Sequence, residues 1–259
     1  MLYEPLILVV PPQRLRQIQS LPVTAAHQCY RVGQGPHLFR NGGQLPPRGG
    51  LMVMDDRGFD GRGEISVLCD EIVRECAARN FQGVVCDFEQ RGQSWQEKCI
   101  RQLSERLSRR NWRLYVPEGM GQWTQYGRVM ISSALSGGSL QHRLEEAAEK
   151  YTPRRITLAL RRVAEDFLLP SPHGRGKGLE REELKDLLEK LQPSVFFSHE
   201  LCTRYFTYTS REDGTHFVLF DDGDTLRKKL QTARGLGITS AMAAWAEVED
   251  VWEQLRISK

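Results

Sequence analysis

The sequence is short of the features that mark several large classes of protein. Its six cysteines lie at positions 29, 69, 76, 86, 99 and 202, with no C-x-x-C pair and no zinc-type spacing. That argues against a disulfide framework or a zinc ribbon, and the cysteines read as reduced, mostly buried thiols. His199 and His216 share no metal-ligand spacing with each other, so no metal and no cofactor are expected. No G-x-G-x-x-G follows the first apolar run, which weakens a dinucleotide-binding sheet. The opening M-L-Y-E-P-L-I-L-V-V-P-P has no basic n-region, and its apolar run is too short and too β-branched for a signal peptide or membrane span. As written, the chain reads as cytoplasmic unless a leader has been removed. Net charge is only +3, with Lys and Arg interleaved among Asp and Glu, so no footprint for nucleic acid or membrane is evident.

What is present suits one large folded domain: 259 residues, 40% hydrophobic and 27% charged. From residue 51 onward, strand-like runs alternate with segments of helical apolar spacing. L-M-V-M is followed by a helix from Ile65 to Asn80, whose apolar residues are Ile65, Leu68, Cys69, Ile72 and Cys76. G-V-V-C-D-F then reads as a strand, and helix 95–110, W-R-L-Y-V-P, R-V-M-I-S-S-A, helix 140–151 and R-I-T-L-A-L continue the alternation. Near the end, a helix capped by Asp224 and stopped by Gly235 and Gly237 leads to a last strand, I-T-S-A-M-A-A-W.

Single helices between strands imply parallel pairing and right-handed crossovers, hence an α/β fold. Candidate strands begin near residues 6, 26, 51, 83, 113, 129, 156 and 238. Eight such units in a chain of this length predict a (β/α)8 TIM barrel forming one domain, 1–259. Between the seventh and eighth strands, residues 168–222 break the rhythm with a Gly/Pro-rich loop, a charged helix at 180–191 and two alternating runs around R-E-D-G, a hairpin signature. This segment reads as a small α+β insertion on the barrel rim. The helices at 95–110 and 180–191 carry mixed charges at i,i+4 spacing and read as having solvated faces.

The stretch Q-G-V-V-C-D-F-E, residues 82–89, ends a buried strand with two carboxylates. Side chains alternate along a strand, so Asp87 and Glu89 point to one face and Cys86 and Phe88 to the other. In a barrel, the C-terminal strand ends face the active-site mouth. Gln90, Arg91 and Gly92 turn the chain away after them. A like-charged pair at that place suits general acid chemistry, with glycosidic cleavage high among the candidates. The alternative is structural: one carboxylate caps the next helix and the other pairs with an arginine.

F-Q-G-V-V-C-D-F-E resembles the fourth-strand motif of family 18 glycoside hydrolases, D-G-x-D-x-D-x-E. The C-terminal stretch, running from Y-F-T-Y-T-S-R-E-D-G through D-D-G-D-T-L-R-K-K-L and G-L-G-I-T-S-A-M-A-A-W, is similar to the end of that family's catalytic domain. It looks closest to the bacterial spore-cortex and peptidoglycan N-acetylglucosaminidases. The resemblance spans about 50–250. It implies a substrate-assisted retaining mechanism, with Glu89 as acid and then base and Asp87 orienting the substrate's 2-acetamido group. It also implies a saccharide partner, and a peptidoglycan, spore-cortex or chitin-like polymer as substrate, with a spore-associated location as one prospect.

This sequence departs from the motif where Gln82 and Val85 replace two aspartates, and where Ser133 and Ala134 stand in place of a Tyr-Asp pair. Arg162, Val163 and Ala164 replace a Tyr-Gly pair after the seventh strand. The resemblance therefore leaves two expectations: a hydrolase of N-acetylglucosamine polymers, or a relative that binds saccharide or serves a structural role without cutting.

Other residues have two readings each. Trp245, ending the last strand, is either the floor under a sugar ring or core filler. Asp55 and Asp56 either line the mouth or make an ordinary D-D-R-G turn. Arg161 and Arg162 either hold an anionic group such as a lactyl carboxylate or pair with Glu89. Trp123 and Tyr126 either stack on sugar or pack a loop. Ser133 is the remaining candidate for substrate contact, at the position of the family's tyrosine.

Overall fold

The computed structural model describes residues 4–41, 46–89, 93–171 and 174–255. Gln90, Arg91 and Gly92 lie outside the described residues. The chain divides into two compact units, the first comprising 1–131, 147–159 and 237–246 and the second 132–146, 160–236 and 247–259.

The first unit is built on strands β1 (Ile7–Val10), β2 (Thr24–Gly33), β3 (His37–Arg40), β4 (Leu51–Asp55), β5 (Gly83–Asp87), β6 (Arg113–Pro117), β7 (Arg128–Ser132) and β8 (Ile156–Ala159). Strands β9 to β13 belong to the second unit: Ala164–Leu169, Lys177–Gly178, Phe196–Ser198, Thr203–Ser210 and Gly214–Phe220. Strand β14 (Ser240–Ala244) returns to the first. Around the first sheet the order is β1, β14, β8, β7, β6, β5, β4 and β2, and β2 pairs back onto β1. This is the closed, eight-stranded parallel barrel expected, with each of the eight anticipated strands in it. Strand β3 is an addition, folded back antiparallel onto the far half of β2.

Alternation along the strands fills the barrel. Ile7, Ala26, Leu51, Val53, Val85, Tyr115 and Met242 form one buried cluster, with Val9 and Met130 packed against it. These residues come from seven of the eight strands, so they mark the inward face. On β5 the outward residues Val84 and Cys86 are buried as well, as expected of a strand covered on both sides. Gly83 opens β5 because a side chain there would come within 2.3 Å of the Arg113 carbonyl on β6.

Helix α1 (Leu15–Ile18) is a single turn after β1. Helix α2 (Ile65–Arg79) buries the five apolar residues that its spacing predicts, begins behind Glu64, which accepts the Ser66 N–H, and ends at Asn80 in the left-handed region, φ 56°. Helix α3 (Ser94–Ser108) buries Trp95, Cys99, Ile100, Leu103 and Leu107 and packs beside α2. It opens with a capping box, in which the Gln96 side chain accepts the Gln93 N–H. All six cysteines are buried, unpaired thiols, and burial pushes Cys29 up to about 11 and Cys76 to about 12.

In the second unit, β10, β9, β13, β12 and β11 form an antiparallel sheet in that order. The R-E-D-G hairpin is β12–β13, and the sheet takes in Ala164–Leu169, ahead of the boundary at 168 read from sequence. Helix α4 (Leu140–Tyr151) spans the boundary between the units, and α5 (Arg181–Leu191) lays Leu184, Leu187 and Leu188 on the cluster of Phe206, Val218 and Phe220. Helix α6 (Gly223–Gly235) is capped by Asp222 rather than Asp224. Asp222 Oδ1 accepts the Thr225 N–H at 2.9 Å and the Thr225 hydroxyl engages the Asp222 backbone, whereas Asp224 sits in the first turn and pairs with Arg227. Short helices α7 (Trp245–Val248) and α8 (Trp252–Leu255) close the described chain. Among the described residues, no helix is long and apolar enough to cross a membrane.

Candidate active site

Val53 and Val85 both point into the barrel, so two residues further on Asp55 and Asp87 do too, at the C-terminal ends of β4 and β5. They are register partners across the two strands. Asp87 is half-buried; Asp55 is buried, accepting the Arg57 N–H at 3.1 Å and the Asn41 side-chain amide at 3.4 Å. The D-D-R-G segment is thus both things that its sequence allows: a turn, with Asp55 accepting from its own chain two residues on, and part of the barrel mouth.

Asp56, of opposite parity, is 1% exposed. Its Oδ1 accepts the Glu89 backbone N–H at 3.0 Å and its Oδ2 accepts the Gln96 side-chain amide at 2.8 Å. Burial raises its pKa above the usual carboxylate value against those two hydrogen bonds, which lower it. Gln96, itself fully buried, also closes the α3 cap, so one chain of hydrogen bonds links the start of α3, the β4 turn and the backbone of Glu89.

The Glu89 side chain is exposed and paired with Arg57, whose Nη2 and Nε lie 2.8 and 3.1 Å from Oε1. Between the two carboxylates, Phe88 points the other way and is buried, 5.2 Å from the Trp95 ring. The arginine that pairs with Glu89 is thus Arg57, where the sequence pointed to Arg161 or Arg162. Arg162 is engaged elsewhere, its guanidinium on Asp250 at 3.0 Å and its backbone N–H on Glu247.

Trp245 does not end the last strand; β14 stops at Ala244 and Trp245 starts α7. It is 6% exposed and its indole N–H donates to Gln17 at 2.6 Å. Trp123 is half-buried at the end of a 3-10 turn, and Tyr126 is exposed. Within the second unit, Ser133 is fully buried, its hydroxyl donating to the Arg161 carbonyl at 3.2 Å and accepting the Arg161 N–H at 3.1 Å. The Arg161 residue is exposed. Among the described residues, no three His, Cys, Asp or Glu side chains gather where they could hold a metal ion.

The structure sets Asp55 beside Asp87 at the strand ends, with Glu89 two residues beyond Asp87 and its side chain on Arg57. Arg57 and Gln96 were not among the residues read from sequence. The signal for Arg57 was at hand: it follows Asp55-Asp56 directly, at the end of the strand neighbouring the one that carries Asp87 and Glu89.

No model of a known protein family matches the sequence, and no curated protein does. Solved structures do match. A chitinase from Chromobacterium violaceum superposes with a TM-score of 0.71 at 14% identity, over 97% of this chain and 98% of that one. The spore cortex-lytic enzyme SleL of Bacillus megaterium superposes at 0.64 with 16% identity, over 94% of this chain and 70% of that one. A class V chitinase from Nicotiana tobaccum, solved in complex with NAG4, superposes at 0.63 with 10% identity, over 99% of this chain and 100% of that one. At such identities the likeness is one of architecture, and this chain has the (β/α)8 barrel fold of these chitinases and of the cortex-lytic enzyme.

Proposed function

We propose that the chain is a glycoside hydrolase of the family 18 kind, acting on a β-1,4-linked polymer that contains N-acetylglucosamine, such as peptidoglycan, spore cortex or chitin. The observation that carries this reading is the place of Asp87: inward-facing, at the C-terminal end of β5, with Glu89 two residues further on. Chitinases and a cortex-lytic enzyme sharing the fold support the substrate class.

In the proposed reaction, protonated Glu89 gives its proton to the glycosidic oxygen as the bond to the anomeric carbon breaks. The carbonyl oxygen of the substrate's 2-acetamido group attacks that carbon from the opposite face, with Asp87 accepting a hydrogen bond from the acetamido N–H and holding it in line. Ionised Glu89 then takes a proton from water, whose oxygen opens the ring so formed, and configuration is retained. Asp55, beside Asp87, lines the same mouth. To reach the glycosidic oxygen, the Glu89 side chain leaves its contact with Arg57.

A second reading, a saccharide-binding relative that does not cut, is favoured by Ser133. The resemblance places it where relatives have a tyrosine on the acetamido oxygen, yet its hydroxyl is spent on the Arg161 backbone. Losing such an oriented donor costs on the order of 10²–10³ in rate. Chromatography of N-acetylglucosamine oligomers and of peptidoglycan glycan incubated with the chain separates the two readings. New reducing ends support the hydrolase; binding without cleavage supports the relative.

A further inference from the structure

Glu89 is held in two ways by the turn after β4. Its backbone N–H is fixed by the buried Asp56 carboxylate. Its side chain is held by Arg57, in a pair whose members are 62% and 60% exposed. The first grip is built into the core, and the second is exchangeable. Exposed ion pairs contribute little net stability, and here two guanidinium nitrogens converge on a single oxygen instead of matching two oxygens side by side. A carboxylate free to meet the guanidinium fork with both oxygens competes well for it.

We propose that Arg57 determines specificity for a glycan that carries a carboxylate, such as one containing N-acetylmuramic acid, by exchanging Glu89 for the substrate's own carboxylate. The catalytic consequence rests on the glycosidase reading: the same exchange that docks the acidic sugar frees Glu89 to move to the glycosidic oxygen. A neutral chitin-type oligomer offers nothing to exchange. Asp55 and Asp87 at the strand ends disfavour an approaching anion, and the exposed Arg57 guanidinium is the attractive charge that the turn after β4 offers it. The Arg57 backbone N–H is anchored on Asp55, which fixes the origin of the side chain while leaving the guanidinium in solvent.

The test is equilibrium binding of the intact chain to a short oligosaccharide of N-acetylglucosamine and N-acetylmuramic acid, and to the same oligosaccharide with its lactyl carboxyls reduced to alcohols. Arg57 is exposed, so Arg57→Gln leaves the core untouched. The expected result is a preference of about tenfold or more for the acidic form, the scale of a hydrogen bond to a charged group. That preference disappears or reverses in Arg57→Gln and is partly kept in Arg57→Lys. Equal preference in the intact chain and Arg57→Gln, or no preference in the intact chain, overturns the assignment. An Arg57-dependent preference without any cleavage upholds it while removing the glycosidase reading.

Discussion

Asp55 and Asp87 face each other across adjacent parallel strands, in register, on the inward face of a barrel whose next layer down is Val53 and Val85. Strands in a sheet lie about 4.8 Å apart, so two carboxylates are held close at the mouth by backbone pairing alone. Such an arrangement favours function over stability. Asp55→Asn keeps an oxygen for the Arg57 N–H and removes the repulsion. It is expected to raise the melting temperature by roughly 1–3 °C, a fraction of a kcal/mol in a chain of this size, while lowering turnover. Paired thermal melts and rate measurements check both halves.

In the proposed reaction Asp56 acts through Glu89, whose N–H it holds, and not on substrate. Asp56→Ala removes the acceptor of two buried or half-buried donors, the Glu89 N–H and the Gln96 amide. Stability is expected to fall by about 1–3 kcal/mol, and kcat by roughly ten- to a hundredfold with KM little changed, because the catalytic carboxylate loses its position and the binding surface does not. Asp56→Asn, which keeps one acceptor, should recover part of kcat. An equal loss in KM would point to collapse of the whole mouth instead.

Lys229 and Asp221 form a fully buried ion pair in the second unit at 2.5 Å. Asp221 also accepts the Val163 N–H at 2.8 Å and the Thr203 hydroxyl at 3.0 Å. Lys229→Ala leaves that carboxylate without its cation, and the expected cost is about 3–5 kcal/mol, read by urea unfolding. A much smaller loss would mean that the Val163 N–H and the Thr203 hydroxyl suffice to hold that carboxylate.

His216 sets the pH response of the β12–β13 hairpin. Burial pulls its pKa down, but hydrogen bonds and charge from Asp213 and Asp166 outweigh this, and the net shift is upward. The ring stacks on Tyr208, whose hydroxyl donates to Asp166 as well. A raised histidine pKa means that the folded state holds the proton more tightly. The contribution is complete below the ordinary value of 6.5 and is lost as pH rises through the folded-state value. Asp213 runs the other way: hydrogen bonds from Ser210 and His216 lower its pKa, so its contribution is lost as pH falls below the usual aspartate range. Protection of the amides along 203–220, taken relative to the intrinsic exchange rate at each pH, should therefore be highest in mildly acidic solution and fall on both sides, with the alkaline fall absent in His216→Gln. An alkaline fall unaltered by that substitution would assign it to another group.

The barrel was legible because its signals are local. Alternating apolar strands and the spacing of Ile65, Leu68, Cys69, Ile72 and Cys76 state their faces without reference to the rest of the chain. The inward parity of Asp87 was legible for the same reason. What escaped was decided by tertiary partners. Asp224 and Asp222 are equally good caps on paper, and the reciprocal bond with Thr225 selects Asp222. Trp245 follows a run of small strand residues, yet the chain turns into helix there and its indole finds Gln17, a residue 228 positions away. Arg57 as the partner of Glu89 follows from β4 and β5 lying side by side, a neighbourhood that the strand order of a barrel implies although neither strand shows it alone.

In the proposed reaction Glu89, two residues beyond the inward-facing Asp87, is the acid and base of a glycosidase. Release of reducing ends from N-acetylglucosamine oligomers and from peptidoglycan glycan, compared between the intact chain and Glu89→Gln, tests it most directly. Measurable turnover is expected, falling by at least about a hundredfold in the variant, with oligosaccharide binding retained. Turnover unchanged by Glu89→Gln would contradict it.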